Sequence, residues 1–141
     1  LLLISGALMA ACNGMQQPET EADFNLTDVV WQWESMTVQG GETTTVSNPD
    51  VFTAIFNEDG TMGGKNDCND YMGEYTVDGN NITITPLITT EAFCGEESLD
   101  ILFRESLAEM VSFGLDGSGG LVMTNPGGEK RMVFSDGGPS Q

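Results

Sequence analysis

Short runs in which apolar and polar residues alternate, separated by turn residues, fill the chain from about residue 26 to residue 134. A period of two is the pattern of β-strands that bury one face. Two turns are especially clear, at 57–60 and 78–80, because an Asp-Gly pair supplies the positive φ of a tight hairpin. The sequence therefore predicts consecutive antiparallel strands. They are 29–36, 51–56, 61–65, 73–77, 81–87, 111–115, 121–124 and 131–134.

One segment breaks this period, from Ser98 to Met110, where apolar residues recur at helical spacing and form one stripe. Ser98 is a suitable N-cap, and the acidic residues around it favour the start of a helix. Strands flank this single helix without β-α-β alternation. The predicted class is therefore α+β, with a mostly antiparallel, curved or partly barrel-like β-sheet and one amphipathic helix. The stripe consists of Leu99, Leu102, Phe103, Leu107 and Met110.

The charge balance excludes several classes of function. The 141 residues include 22 Asp and Glu, 4 Lys and Arg and no His, which gives a formal net charge of −18 at pH 7. Four basic residues cannot neutralise a run of phosphates, so no nucleic-acid partner is expected. The absence of His excludes Ser-His-Asp and Cys-His nucleophiles and the common zinc sites. A chain of this length is expected to form one folded domain.

The N-terminal residues differ from the rest. Residues 1–11 are apolar and uncharged, are too few to span a bilayer, and end in Ala-Ala before Cys12. This pattern resembles the end of a bacterial lipoprotein signal peptide, which is cut before a cysteine that carries lipid. A buried strand or helix that ends in cysteine is the alternative interpretation.

The expected organisation follows from this resemblance. Residues 1–11 are a signal peptide truncated at its start, since no initiator Met or basic segment precedes them. Residues 12–25 are a flexible tether, 26–135 the folded domain and 136–141 a disordered tail. The expected location is the bacterial cell envelope, where lipid on Cys12 anchors the domain to a membrane, on the periplasmic side or at the outer membrane.

The middle of the chain carries a motif with specific spacing. Cys-Asn-x-x-x-Gly-x-Tyr spans 68–75, Pro-Leu-x-x-Thr spans 86–90, and a second cysteine stands at 94. Together with the segment 26–31 and the helix followed by hairpins, these residues resemble the META domain family, which includes HslJ-like heat shock proteins. The resemblance covers nearly all of the expected folded domain.

This resemblance implies a largely antiparallel, partly barrel-like sheet with one helix and an envelope or secreted location. It also implies a role described through stress, antibiotic tolerance or motility rather than through a reaction. The family supplies no catalytic residues that match positions of this chain. No catalytic or cofactor-binding residue is therefore assigned, and no cofactor is expected.

Oxygen-bearing side chains cluster at 67–74, where Asp67, Asn69, Asp70 and Glu74 are candidate Ca²⁺ ligands. The spacing does not fit an EF-hand loop, because tyrosine and methionine stand where an oxygen ligand and glycine are needed. A solvated turn is the favoured interpretation, and no metal site is assigned. Glycosidase chemistry between paired carboxylates is a weaker hypothesis, since 22 acidic side chains form close pairs by chance.

The large aromatic residues Trp31, Trp33, Tyr71 and Tyr75 have two interpretations, which also apply to the phenylalanines. They line a ligand groove in a half-open barrel, or they fill the core. Core packing is the favoured interpretation, because large apolar side chains are commonly buried.

The cysteine count predicts a disulfide. The chain has three cysteines, and lipidation of Cys12 leaves Cys68 and Cys94 as a pair outside the reducing cytosol. The bond would join positions 68 and 94, which are 26 residues apart, and would cross-link the two ends of the segment that contains the hairpin between them. Two separately buried thiols are the alternative.

These observations favour a non-enzymatic envelope lipoprotein whose META-like domain presents a binding surface to an envelope protein partner. The alternative is a small-molecule or peptide binder that uses the barrel mouth. An apolar pocket with convergent polar groups would favour the alternative. A flat exposed apolar strand edge or patch would favour protein binding.

Overall fold

The computed structural model describes residues 25–141, and these residues form ten strands and one α-helix. The helix, α1 (Asp100–Ala108), lies between the seventh and eighth strands. Short 3₁₀ turns occur at Pro49–Val51 and Pro126–Gly128. The strands are β1 (Val29–Val38), β2 (Thr43–Thr45), β3 (Thr53–Phe56), β4 (Thr61–Asn66), β5 (Asn69–Asp78), β6 (Asn81–Ile84), β7 (Ile88–Thr89), β8 (Ser112–Leu115), β9 (Leu121–Thr124) and β10 (Lys130–Pro139).

Eight of these strands close into a barrel. Their order is β1-β3-β4-β5-β6-β8-β9-β10, neighbours are antiparallel, and β10 pairs with β1 to complete the ring. β2 pairs with β1, and β7 pairs with β5 at Tyr71 and Met72. The mostly antiparallel sheet and the single helix agree with the predicted α+β class. The barrel is closed, however, and not the curved or partly barrel-like sheet that was predicted.

The pairing that closes the barrel joins its first and last strands, β1 and β10, which have ten residues each. It runs from Val29 opposite Pro139 to Val38 opposite Lys130, and two register shifts interrupt it. Such bulges bend and twist a strand, which helps a sheet to curve into a barrel.

The C-terminal residues belong to this closing pair. Residues 136–139 form the end of β10, and the Ser140 N–H donates a hydrogen bond of 2.9 Å to the carbonyl oxygen of Asp28. The prediction of a disordered tail at 136–141 is therefore wrong. Its Gly-Gly-Pro composition is typical of a linker, but β1 offers backbone partners that composition does not reveal.

Apolar side chains fill the interior of the barrel. Phe52, Ala54 and Phe56, which the alternation at 51–56 places in phase, are all buried. The two tryptophans and two tyrosines are buried as well, so the core interpretation is correct for these four. They are Trp31, Trp33, Tyr71 and Tyr75.

Two tyrosine hydroxyls join strands across the sheet. The Tyr71 hydroxyl donates a 2.7 Å hydrogen bond to the carbonyl oxygen of Thr53, and the Tyr75 hydroxyl donates one of 2.7 Å to that of Asn57. Both bonds reach from β5 past β4 to β3 or its end. They satisfy polar atoms that the surrounding apolar side chains shield from water.

The helix closes one end of the barrel. Phe103 is fully buried, and its ring centroid lies 5.3 Å from that of Trp33, 5.6 Å from Phe52 and 5.9 Å from Tyr71. Because these rings come from different sides of the barrel, Phe103 occupies its interior. Leu107 is also fully buried, as the predicted apolar stripe requires.

The helix begins later than predicted. It starts at Asp100 with Leu99 at the cap position, so Ser98 is not the N-cap. The Ser98 hydroxyl accepts a 3.2 Å hydrogen bond from the Asp100 N–H and donates one of 2.6 Å to Asp67 Oδ2. Ser98 therefore ties the start of α1 to the turn between β4 and β5.

Candidate functional site

The predicted disulfide is present at the turn between β4 and β5. Cys68 lies in this turn, Cys94 lies between β7 and α1, and their Cα atoms are 5.5 Å apart. The bond fixes the segment that leads into the helix. The arithmetic that left these two cysteines as a pair included lipidation of Cys12, which lies outside the described residues.

Asn69 holds the same segment through hydrogen bonds. Its Nδ2 donates to the carbonyl oxygen of Ala92 at 3.0 Å, and its Oδ1 accepts from the Ala92 N–H at 2.8 Å and from Thr90 Oγ1 at 2.9 Å. Asn69 is only 3% exposed, so these bonds replace those that its amide loses to water. Only an amide side chain donates and accepts in this arrangement.

Two further residues of the motif, Gly73 and Tyr75, stabilise the packing of β5. A Cβ at Gly73 would lie 2.8 Å from Leu87 Cδ2, so glycine lets Leu87 pack against β5. Tyr75 joins β5 to the end of β3, as described above. The motif that spans 68–94 therefore holds the barrel, the disulfide and the segment before α1 together.

The comparisons with known proteins agree with this geometry. The family model of the META domain matches residues 24–137, which include almost all of the barrel. The chain belongs to the META domain family. It matches no curated protein.

Two solved structures resemble the chain at low sequence identity. A protein from Burkholderia xenovorans, determined by NMR, is 18% identical with a TM-score of 0.64, and the match covers 86% of this chain and 97% of that one. A crystal structure of a DUF4847 family protein from Bacteroides vulgatus is 15% identical with a TM-score of 0.59, and the match covers 82% and 96% of the two chains. At these identities the likeness shows the fold alone.

The candidate Ca²⁺ ligands of this META domain do not converge. Asn69 is buried and bonded to Thr90 and Ala92, whereas Asp70 and Glu74 are exposed on β5. Asp67 accepts the hydrogen bond from Ser98. Within residues 25–141, no three His, Cys, Asp or Glu side chains lie close enough together to hold a metal ion. In the same residues, no helix is long and apolar enough to cross a membrane.

The perturbed titratable groups serve local structure. Burial raises the pKa of Tyr71 far above its usual range. Burial, followed by nearby carboxylates, also raises the pKa of Tyr75. A hydrogen bond from the Thr61 hydroxyl lowers the pKa of Asp59, and one from the Ser118 hydroxyl lowers that of Asp116. These carboxylates shape turns, and the tyrosines stay protonated as donors within the core.

Four exposed apolar side chains surround β7 and the segment after it. Met72 is 63% exposed, Ile88 70%, Phe93 82% and Ile101 56%. Met72 and Ile88 lie opposite each other on β5 and β7, and Phe93 and Ile101 border one cleft. Thr89 and Thr90 lie between these two pairs and border the hollows on both sides. We call the four apolar residues the β7 surface.

A shallow groove of about 660 Å³ adjoins the Met72 and Ile88 half of this surface. Its wall is mainly apolar, with Ile55 and Pro86 on either side of the paired strands β4 and β5. Gly63 lies in its floor, where a Cβ would come within 2.7 Å of the Tyr71 carbonyl oxygen. The sequence analysis did not identify the groove or the β7 surface, although Met72 has the outward phase of β5.

Proposed function

We propose that this protein is a non-enzymatic lipoprotein of the bacterial cell envelope, and that its META domain binds another envelope protein through the β7 surface. The observation that carries this proposal is the exposure of Met72, Ile88, Phe93 and Ile101 around one short strand. Large apolar side chains that a folded domain leaves exposed on one part of its surface mark interaction sites. The family resemblance adds a role in envelope stress or antibiotic tolerance to the proposal.

The free edge of β7 supports the same function. β7 pairs with β5 on one side, and no other described strand pairs with it. A strand edge beside apolar side chains suits the addition of an extended segment from a partner, since the backbone supplies hydrogen bonds and the side chains supply pockets.

The alternative function, a small-molecule or peptide binder that uses the barrel mouth, has less support. The barrel is closed, and Phe103 fills the end that α1 covers. An apolar ligand would therefore have to bind outside the barrel, in the groove beside Met72 and Ile88.

The test is photo-crosslinking in living cells. The lipoprotein would carry p-benzoylphenylalanine at position 88, or at position 115 as a control, because Leu115 is 48% exposed on β8. We expect one discrete protein to be captured from position 88 and not from position 115. A copurifying small molecule with no captured protein, or equal capture from both positions, would contradict the proposal.

The lipid anchor has its own test. Replacing Cys12 with Ala should release the domain from membranes or block its processing, since lipid on this cysteine is the proposed attachment. Membrane fractionation measures the release. Mass spectrometry that finds an unmodified N-terminus elsewhere would exclude the anchor.

A further inference from the structure

Met72 differs from every other methionine that the structure describes. It is 63% exposed and belongs to the β7 surface, whereas the others within residues 25–141 are at most 3% exposed and pack in the core. An oxidant has to reach the methionine sulfur to react with it. The folded domain therefore offers Met72 to oxidants and protects its other methionines. The protected residues are Met36, Met62, Met110, Met123 and Met132.

The neighbours of Met72 leave its side chain open. On β4 the residue directly opposite is Gly63, which has no side chain, and on β7 it is Ile88, which is itself exposed. Residues directly opposite each other on neighbouring strands share one face of the sheet. The Met72 side chain therefore stands between an empty position and another exposed side chain, and the groove of about 660 Å³ adjoins it.

The other side chains that oxidants attack readily are shielded or already oxidised. Trp31 and Trp33 are buried, and Cys68 and Cys94 are joined in the disulfide. The chain has no His. Within residues 25–141, oxidation of the folded domain is therefore directed to Met72.

We propose that Met72 is an oxidation site at which hydrogen peroxide controls binding of the partner. The thioether sulfur attacks one oxygen of the peroxide, so that an S–O bond forms and the O–O bond breaks. The sulfur-bound OH gives its proton to the displaced hydroxide, which leaves as water. The sulfur thus loses two electrons to the peroxide and becomes a sulfoxide. Two thiols of a sulfoxide reductase reverse the change, forming a disulfide and releasing water.

Oxidation makes the β7 surface polar at Met72. This inference rests on the proposed function, because it adds regulation to the surface that is proposed to bind the partner. A partner that covers Met72 and Ile88 gains from removing their apolar area from water. A sulfoxide oxygen in the same place loses its hydrogen bonds to water on burial, which costs free energy. The oxidised domain therefore binds the partner more weakly.

The first experiment identifies the oxidation site. The full chain carrying Cys12→Ser is treated with hydrogen peroxide, and peptide mapping by mass spectrometry gives the oxidation rate of each methionine. We expect Met72 to react about tenfold faster or more than each methionine of the core, because buried sulfur atoms react only when the structure opens. In urea all of these rates should become similar. A Met72 rate no higher than those of the core methionines in the folded protein would overturn the inference.

The second experiment tests the switch by photo-crosslinking from position 88 in living cells. It compares the unchanged protein with Met72→Leu, which keeps an apolar side chain of similar volume and has no sulfur. Both should capture the partner before treatment. After hydrogen peroxide, capture by the unchanged protein should fall about tenfold, whereas capture by Met72→Leu should persist. Met72→Gln, which is polar like the sulfoxide, should capture poorly without peroxide.

The Met72→Leu protein separates oxidation of this chain from oxidation of the partner. An equal loss of capture in both proteins would overturn the switch, and so would undiminished capture by an unchanged protein whose Met72 is oxidised. A lack of capture by the unchanged protein before treatment would contradict the proposed function and the switch together. The peptide map still decides by itself whether Met72 is the oxidation site.

Discussion

At the scale of single residues, buried polar groups divide into those with partners and those without. The amide of Asn69 and the hydroxyls of Tyr71 and Tyr75 all have partners, and each joins separate parts of the chain. Asn66 Oδ1 and Ser106 Oγ have none among the described residues. A buried polar group without a partner lowers the free energy of unfolding, so replacing it with an apolar group should raise that free energy.

Ser106 is the simpler of the two cases. It is 1% exposed and faces the core from α1, so Ser106→Ala removes an unsatisfied hydroxyl and adds helix propensity. We expect the free energy of unfolding to rise by about 1 kcal/mol, measured by urea denaturation. Ser98→Ala is the control and should lower it, because the Ser98 hydroxyl has two partners. A Ser106→Ala protein less stable than the unchanged one would contradict this account.

Tyr71 predicts the response to alkaline pH. Burial raises the pKa of Tyr71 in the folded protein above its value in the unfolded chain, which is about 10. The contribution of Tyr71 to the free energy of unfolding is therefore complete below about pH 10 and declines as the pH rises above it. Tyr71→Phe should lower stability at neutral pH by about 1 kcal/mol, because the Thr53 carbonyl loses its donor.

The same variant should, however, lose less stability than the unchanged protein between about pH 9 and pH 11, since it has one group fewer to ionise on unfolding. Urea denaturation at both pH values measures the two slopes. Equal slopes would show that Tyr71 does not control the alkaline limit.

At the scale of elements, strands are predictable where glycine fixes a turn. Gly60 and Gly79 have φ values of 87° and 62°, and both hairpins, β3–β4 and β5–β6, occur as predicted. β5 begins at Asn69, earlier than predicted. The prediction missed its first residues because the polar run before Gly73 has the composition of a loop. Its pairing with β4 and the partners of its buried amide are tertiary features that local sequence does not show.

The candidate site was less predictable than the fold. The disulfide follows from the cysteine count, but the β7 surface combines residues from β5, β7, the following segment and α1. A two-residue strand such as β7 has no measurable period.

The disulfide should stabilise the segment between β7 and α1. Its removal in the double variant Cys68→Ser and Cys94→Ser should lower the free energy of unfolding by roughly 3 to 4 kcal/mol, from the chain-entropy model for a loop of this length. Urea denaturation compares the variant with the oxidised protein. An unchanged midpoint, with the bond verified in the unchanged protein by peptide mapping, would show that the disulfide does not stabilise the fold.

At the scale of the whole molecule, negative charge dominates. The formal net charge is −18, and within residues 25–141 the one ion pair joins Lys130 Nζ to Glu109 Oε2 at 2.8 Å. This pair is partly exposed and contributes little. Self-repulsion therefore opposes the compact state.

Salt should stabilise the protein. The Debye length falls from about 30 Å at 0.01 M to about 10 Å at 0.1 M salt, which screens repulsion between carboxylates. We expect the melting temperature to rise between these NaCl concentrations. KCl should give the same increase, because the effect is one of ionic strength. A melting temperature that is flat or falling would contradict the prediction.

The META motif builds the fold, and we propose that the β7 surface binds the partner. The most direct test measures partner capture by p-benzoylphenylalanine at position 93 in the double variant Met72→Ser and Ile88→Ser. Capture should fall about tenfold, as expected when side chains that the partner buries are lost. The melting temperature should stay close to that of the unchanged protein, because both side chains are exposed in the free domain. The matched variant Val77→Ser and Leu115→Ser should capture normally. Undiminished capture by the first variant, or an equal loss in both, would contradict the account.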